Sequence, residues 1–184
     1  MLSAMYEVEV KVPADLETVR ERLADLDAAS RGGVVQVDTY YDAPHREFAE
    51  TDEALRIREE RPADGPDETR VTYKGPLVDD ESKTRKEVET AVVNGEKFDA
   101  VLTNLGFEAA ATVRKDRERF ELDGYTITLD AVDDVGEYVE VETEVEAESD
   151  LEPAREGAYD VLERLGLDPD DQIRTSYLGL LLAP

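Results

Sequence analysis

A two-residue alternation of charged and apolar residues opens this chain and returns in at least five later segments. Residues 5–12 place Glu7, Glu9 and Lys11 on one side of an extended strand and three valines on the other. The eight strand candidates are residues 5–12, 34–42, 53–59, 69–76, 84–91, 111–122, 125–130 and 138–145. The pattern predicts a protein rich in β-strands whose two faces differ sharply in charge.

Three other stretches carry apolar residues at helical spacing. Asp15 is the expected N-cap of the first helix, Asn94-Gly95 marks the start of the second, and the third covers residues 151–165. The tail 176–182 is apolar and is expected to pack against the sheet. Since no linker interrupts the chain, we expect one α+β domain over residues 1–184.

The orientation of the charged faces decides what kind of protein this is. Eight strands joined mostly by hairpins can close into a barrel, which removes exposed sheet edges. Three amphipathic helices need an apolar surface, and the apolar strand faces are the ones available. Helices on the outside would therefore turn the charged faces into the lining of a tunnel. The alternative is an antiparallel sheet whose charged face meets solvent.

The sign of the charges favours the tunnel. The chain has 47 acidic and 21 basic residues, with a formal net charge of -26. A solvent-facing surface in such a chain should carry mainly Asp and Glu. Instead, nine bases share the alternating faces: Lys11, Arg56, Arg58, Arg70, Lys74, Arg85, Lys115, Arg117 and Arg119.

The composition also restricts partners and location. The negative charge argues against a nucleic-acid partner, because phosphate backbones are bound by basic surfaces. The chain has no cysteine, which excludes disulfides and thiolate metal sites. No apolar run of transmembrane length and no signal-peptide pattern is present, so we expect a cytoplasmic protein without membrane contact. The scattered acids favour adaptation to high salt over a specific acidic face for a cationic partner.

Charged groups lining an interior need a ligand or a partner, because an unpaired buried charge is costly. The inward bases therefore indicate a polyanion. Carboxylates on the same faces supply oxygens that Mg²⁺ or Mn²⁺ takes together with phosphate oxygens. These acids are Glu7, Glu9, Glu87, Glu89, Asp130, Glu140 and Glu142. Together the two sets are typical of a metal–triphosphate site.

An ordered set of motifs resembles the CYTH superfamily, the triphosphate tunnel metalloenzymes. Glu7-x-Glu9-x-Lys11 is similar to the ExExK signature of that family. The further matches are Tyr40-Tyr41-Asp42, Leu55-Arg56-Ile57-Arg58, Thr72-Tyr73-Lys74-Gly75-Pro76, Lys83-x-Arg85-x-Glu87-x-Glu89, Lys115-x-Arg117-x-Arg119, Asp130, Glu140-x-Glu142 and Ser176-Tyr177-Leu178. The resemblance covers nearly the whole chain.

The resemblance implies a closed eight-stranded antiparallel β-barrel with helices packed outside, and it implies roles for individual residues. The metal-binding acids would be Glu7, Glu9, Asp130, Glu140 and Glu142. The triphosphate-binding bases would be Lys11, Arg56, Arg58, Lys74, Arg85, Lys115, Arg117 and Arg119, with Lys11, Lys74, Lys115 and Arg117 as the catalytic subset. Glu87 and Glu89 would join either the metal set or the groups that orient it.

Within the superfamily, the Tyr-Lys-Gly-Pro turn and the Lys-x-Arg-x-Glu-x-Glu segment look most like the class IV adenylate cyclase branch. That branch implies conversion of ATP to 3′,5′-cyclic AMP and pyrophosphate, and a homodimer. Hydrolysis of tripolyphosphate or thiamine triphosphate would use the same bases and metal, with water as the nucleophile. A binding module without turnover is the third alternative.

Overall fold

A closed antiparallel β-barrel forms the centre of the computed structural model, which describes residues 5–78 and 80–184. Its strands are β1 (Met5–Pro13), β2 (Ala29–Asp42), β3 (Ala54–Pro62), β4 (Glu68–Leu77), β5 (Lys83–Ala91), β6 (Glu108–Leu122), β7 (Tyr125–Val132) and β8 (Gly136–Val145). Around the barrel the order is β1-β5-β4-β3-β2-β6-β7-β8, and β8 pairs with β1. The predicted eight-stranded barrel is confirmed.

In the part of the chain that the structure describes, five α-helices surround the barrel: α1 (Leu16–Asp25), α2 (Phe48–Thr51), α3 (Gly95–Asn104), α4 (Leu151–Arg164) and α5 (Tyr177–Leu182). The predicted N-caps are confirmed, since Asp15 accepts from the backbone N–H of Thr18 at 2.8 Å and Asn94 accepts from that of Lys97 at 2.9 Å. Within the described residues, no helix is both long enough and apolar enough to span a membrane.

Strand register joins the charged faces into one interior surface. Glu7 of β1 lies opposite Arg85 of β5 on one side and Glu144 of β8 on the other. Lys11 lies opposite Glu140 in the same β1–β8 ladder. Residues directly opposite in an antiparallel pair share a face, so each ladder carries the charged surface to the next strand.

The main hydrophobic core lies outside the barrel, under α1 and α4. The outer faces of β1, β7 and β8 pack there against both helices, as the sequence pattern predicts. Its buried members are Val10, Val12, Leu16, Val19, Leu23, Leu122, Ile127, Leu129, Val139, Val141, Ala158, Val161, Leu162 and Leu165. Apolar burial of this kind is the dominant stabilising contribution to folding.

Two smaller clusters hold α3 and α5. Leu102 of α3 packs with Tyr41 and Ile57, and the Tyr41 hydroxyl donates to Asp99 at 2.5 Å. Tyr177 of α5 packs with Tyr138 and with apolar residues of β6 and β7. The apolar tail therefore lies against the barrel, as expected from its composition.

Two strands begin three or more residues earlier than the sequence predicts. β2 starts at Ala29 instead of residue 34, and β6 starts at Glu108 instead of residue 111. The sequence Arg31-Gly32-Gly33 reads as a connection, but β2 pairs with β6 through it, with a register shift between Ser30 and Gly32. Gly32 has a φ of 87°, a conformation that glycine adopts without steric cost, so the strand continues across an irregularity.

Removing a side chain from the outer core should destabilise the barrel. Leu162 is fully buried between α4 and the strands, so Leu162→Ala should lower the free energy of unfolding by about 2–5 kcal/mol. Leu105→Ala is the matched control, because Leu105 is 64% exposed and its loss should cost less than about 0.5 kcal/mol. Denaturant unfolding of both variants at one salt concentration measures the difference, and equal costs would contradict this core.

Candidate functional site

The barrel interior contains a cavity of about 660 Å³, within the usual size range of small-molecule sites. Predicted site residues make up much of its wall: Glu7, Glu9, Arg56, Arg58, Lys74, Arg85, Glu87, Glu89, Lys115, Arg117, Arg119, Glu140 and Glu142. The remaining two, Lys11 and Asp130, do not line the cavity. Both are 0% exposed and lie behind its surface.

Two arginines in the wall are held by buried aspartates in the same way. Arg58 donates through Nε and Nη2 to Asp38 at 2.6 and 2.7 Å, and Arg117 donates through the same two nitrogens to Asp130 at 2.6 and 2.5 Å. Arg117 Nη2 also donates to Glu140 at 2.8 Å. Each pair of hydrogen bonds from one arginine to one aspartate forms a fork. The two forks fix the planes of the guanidinium groups and leave both Nη1 nitrogens outside.

The carboxylate of Asp38 forms ion pairs with two arginines, Arg58 and Arg56. Burial would raise the pKa of its carboxyl, but the charges of Arg58 and Arg56, whose Nη1 lies 3.5 Å away, and the hydrogen bonds from Arg58 together outweigh burial, so the pKa of Asp38 falls well below its usual range. Asp38 is therefore ionised at neutral pH. It compensates part of the positive charge in this wall without facing solvent.

Lys74 is shared by two glutamates. Its Nζ donates to Glu7 at 2.5 Å and lies 3.0 Å from Glu87. Burial would raise the pKa of Glu7, but the charge of Lys74, hydrogen bonds with Glu87 and Lys74 and the charge of Arg56 together lower that pKa to about 2. Burial raises the pKa of Glu87 to about 7, and neighbouring Glu7 adds to the rise. The charge of Lys74 is therefore balanced by the ionised carboxylate of Glu7, and Glu87 is the more easily protonated of the two glutamates.

Three carboxylates meet without enough positive charge between them. Glu7, Glu9 and Glu142 each place an oxygen within 4.8 Å of the others. Burial raises the pKa of Glu142 to about 8, and repulsion from Glu7 contributes to the rise. A divalent cation would relieve this repulsion, and a set of oxygen donors suits Mg²⁺ or Mn²⁺. The donor set therefore fits the predicted metal.

Asp130 and Glu140, the other two predicted metal ligands, are engaged elsewhere. Both bind Arg117, and Asp130 also accepts from the Tyr177 hydroxyl at 2.8 Å. The structure thus divides the predicted acids into a cluster of three that is suited to a metal and a pair that orients an arginine.

The bases Arg85 and Arg119 are also engaged. Arg85 donates to the carbonyl oxygens of Gly75 and Asp52 at 3.0 and 3.2 Å, which links β4 to the end of α2. Arg119 Nη2 lies 2.9 Å from Glu60. Arg119 keeps about a third of its side chain exposed, so it remains accessible from the cavity.

Lys11 and Lys115 lie over one aromatic ring. Their Nζ atoms are 4.2 and 4.9 Å from the ring centroid of Tyr177. Lys11 also donates to the backbone carbonyl of Thr175 at 2.5 Å. Burial lowers the pKa of Lys11 to about 8, with help from Lys83, and burial together with Arg117 lowers that of Lys115 to about 7.

Three residues of the site received no role from the sequence, although Lys83 and Tyr177 stand in two of the matched motifs. Asp38 lies in phase with Tyr40 on β2, so the two-residue period could have identified it as inward-facing. Lys83 is in phase with Arg85, lines the cavity and donates to Glu9 at 3.2 Å. Tyr177 belongs to a helix, so no strand period marks it, and its apolar surroundings favoured a packing role.

Comparisons with known proteins place these features in a family. A family model described as CYTH domain matches residues 5–177. A protein of Methanocaldococcus jannaschii, provisionally named an adenylate cyclase, is 37% identical over 177 residues, which is 96% of this chain and 98% of that protein. The similarity therefore includes the barrel, its helices and the start of α5.

Solved structures give the same result. The PH1819 protein of Pyrococcus horikoshii has a TM-score of 0.89 at 38% identity, covering 96% of this chain and 98% of its own. A protein of Vibrio parahaemolyticus, also provisionally named an adenylate cyclase, has a TM-score of 0.85 at 24% identity, covering 97% and 98%. The second likeness concerns the fold alone.

The Asp38 fork should make a measurable, pH-dependent contribution to stability. Asp38→Asn leaves buried Arg58 without its counter-charge and should cost about 3–5 kcal/mol at pH 7. Because the folded pKa of Asp38 lies below its unfolded value, this stabilisation is present above about pH 4 and is lost as the pH falls further. Denaturant unfolding from pH 3 to 7 should show the two proteins converging at low pH.

The control for that experiment is Asp116→Asn. Asp116 forms an ion pair with Arg114 at 3.0 Å, but both side chains are exposed, so its loss should cost less than about 0.5 kcal/mol at every pH. A cost for Asp38→Asn as small as this would show that the fork does not stabilise the barrel.

The carboxylate cluster should bind Mn²⁺ through Glu142. Glu142→Gln keeps the shape and removes a charged ligand, so Mn²⁺ affinity measured by isothermal titration should fall at least about tenfold. Glu144→Gln is the matched control, because Glu144 is the next inward residue of β8 but lies outside the cluster of three. Equal loss in both variants would assign the metal to a different position.

Proposed function

Because this chain belongs to the CYTH domain family, we propose that it is a metal-dependent enzyme of triphosphates, and specifically a class IV adenylate cyclase. The reaction converts ATP to 3′,5′-cyclic AMP and pyrophosphate. One observation carries the proposal: a single cavity combines the carboxylate cluster Glu7, Glu9 and Glu142 with a wall of buried bases. The name given to the Methanocaldococcus jannaschii relative supports the cyclase assignment.

The bases are suited to bind and orient a triphosphate. Arg58 and Arg117 are held rigidly by their aspartates, so little side-chain entropy is lost when a phosphate oxygen binds. Arg56 and Lys115 line the same cavity and add positive charge. Rigid donors aimed at phosphate oxygens stabilise charge that develops on them as the α-phosphorus is attacked.

Glu7, Glu9 and Glu142 would hold Mg²⁺ or Mn²⁺, which when bound neutralises phosphate charge and acts as a Lewis acid. Lys74 would then face two carboxylates, Glu7 and Glu87, one of which binds the metal. Its ammonium would keep Glu7 charged and hold that carboxylate in place for the metal.

Apolar and aromatic residues in the cavity lining support a nucleotide substrate. Phe48 of α2 and Leu178 of α5 belong to this lining, and Tyr40 of β2 adds an aromatic ring. An inorganic polyphosphate has no apolar part to cover this surface, whereas a nucleoside has one. Cyclisation uses the ribose 3′-oxygen as nucleophile, so the nucleoside must remain in the cavity during the reaction.

The alternative is hydrolysis of tripolyphosphate or thiamine triphosphate. It is favoured by the predominance of charged groups in the cavity wall, which suit the triphosphate itself whatever is attached to it. Water would replace the ribose oxygen as nucleophile.

Product analysis with ATP and tripolyphosphate side by side, in Mg²⁺ or Mn²⁺, distinguishes these activities. We expect cyclic AMP and pyrophosphate from ATP. Glu9→Gln should lower the metal-dependent rate by about a hundredfold or more, because it removes a ligand of the metal that stabilises the transition state. The control Glu59→Gln alters an exposed glutamate of β3 that pairs with Arg61, and it should keep the original rate.

The products also identify the outcomes that contradict the cyclase. Inorganic phosphate and ADP without cyclic AMP would assign a hydrolase, and preferential turnover of tripolyphosphate would identify its substrate. Tight binding of both compounds without turnover would assign a binding module.

A further inference from the structure

The predicted triphosphate-binding bases fall into two groups according to their partners. Six form an ion pair with a carboxylate: Arg56, Arg58, Lys74, Arg85, Arg117 and Arg119. The other two, Lys11 and Lys115, form no ion pair with any carboxylate in residues 5–78 and 80–184. Both are nevertheless buried in a strongly acidic protein.

These two lysines are also the two that lie over Tyr177. Their Nζ atoms are 4.2 and 4.9 Å from the centroid of that ring, and Tyr177 itself is 6% exposed. An ammonium group is attracted to the negative face of an aromatic ring, and the attraction strengthens when water is excluded. The ring therefore offsets part of the cost of burying both charges.

A ring and a carboxylate differ as partners for a phosphate-binding lysine. A carboxylate neutralises the ammonium and competes with phosphate oxygens for its N–H groups. A ring leaves the net positive charge unchanged and uses no hydrogen-bond acceptor. Lys115 lines the cavity, so its ammonium can donate to phosphate oxygens, while Lys11 adds positive charge behind the wall.

Contacts on several sides fix the position of this ring. The Tyr177 hydroxyl donates to Asp130 at 2.8 Å, and Asp130 is itself held by Arg117. Tyr138 packs against the ring with a centroid distance of 5.4 Å. Ser176 caps α5 by accepting from the backbone N–H of Gly179 at 3.0 Å, which fixes where the helix starts.

We infer that Tyr177 is a positioning residue for triphosphate binding: its ring holds the amino groups of Lys11 and Lys115, which form no ion pair with a carboxylate in the described residues, in place for the negative charge of a triphosphate. The C-terminal segment thereby forms part of the binding site as well as packing against the barrel. This inference rests on the proposed binding of a triphosphate in the tunnel.

Substitutions that separate the ring from its packing test the inference. Tyr177→Leu removes the aromatic face and should raise the Kd for tripolyphosphate about tenfold, from the loss of two buried cation–π contacts. Tyr177→Phe keeps the ring and should stay within about threefold of the original Kd. Isothermal titration with sodium tripolyphosphate in EDTA measures binding without metal-dependent turnover.

Tyr125→Leu is the matched control. Tyr125 is a tyrosine of β7 that packs against the outer core and donates its hydroxyl to the backbone carbonyl of Ala154 at 2.8 Å, and no lysine or arginine among the described residues lies over its ring. It should therefore lose stability, as Tyr177→Leu does, and keep its affinity for tripolyphosphate. Equal weakening by both leucine variants, or no weakening by Tyr177→Leu, would overturn the inference.

If Tyr177→Leu does not fold, Tyr177→Met replaces it in the same comparison, because methionine fills a similar space without an aromatic face.

Failure of this inference can be distinguished from failure of the proposed reaction. Tripolyphosphate binding that depends on Tyr177 without formation of cyclic AMP would contradict only the cyclase. Formation of cyclic AMP with unchanged binding in Tyr177→Leu would contradict only the role of Tyr177. Absence of tripolyphosphate binding in the unsubstituted protein would overturn both.

Discussion

Closing a sheet around its own charged face is the physical constraint on which this structure depends. Charges inside a barrel lose much of their hydration, so each needs an opposite charge, a polar partner or a ligand. The Arg58–Asp38 and Arg117–Asp130 forks meet this need between adjacent strands, at directly opposite positions of the β2–β3 and β6–β7 ladders. The pairing that closes the barrel thus also orients two arginines towards its cavity.

The barrel separates stability from binding. Its largest hydrophobic cluster lies on the outside, between the strands and helices α1 and α4. Small barrels usually fill their interior with apolar side chains. Here the helices supply the apolar partner instead, and the interior can hold charged groups and a cavity. The stabilising burial and the charged site occupy opposite faces of the same strands, as Val10 and its neighbours Glu9 and Lys11 illustrate.

The interior is not uniformly positive, and its pattern of partners gives the bases different properties. Arginines in forks are rigid donors with part of their charge compensated. The charge of Lys74 is neutralised by Glu7 and Glu87, whereas Lys115 lines the cavity with its ammonium group over the ring of Tyr177. In the carboxylate cluster, Glu7 and Glu9 each pair with a lysine, whereas Glu142 has no ion-pair partner among the described residues. A bound triphosphate would supply negative charge to the bases, and its metal would supply positive charge to the carboxylate cluster.

Sequence periodicity determined the strands and which residues share a face, because side-chain direction in a strand follows from position. The amphipathic helices and the sign of the charges then indicated that the charged face turns inward. The sequence did not determine which carboxylates meet, because strand register and closure bring together Glu9 and Glu142 while Arg117 binds Asp130 and Glu140. Asp38 was given no role, although its position two residues before Tyr40 could have marked it as inward-facing. Only the tertiary structure placed Tyr177 on Lys11 and Lys115, because a helix at the end of the chain meets the first strand and the sixth solely through the folding of the whole barrel.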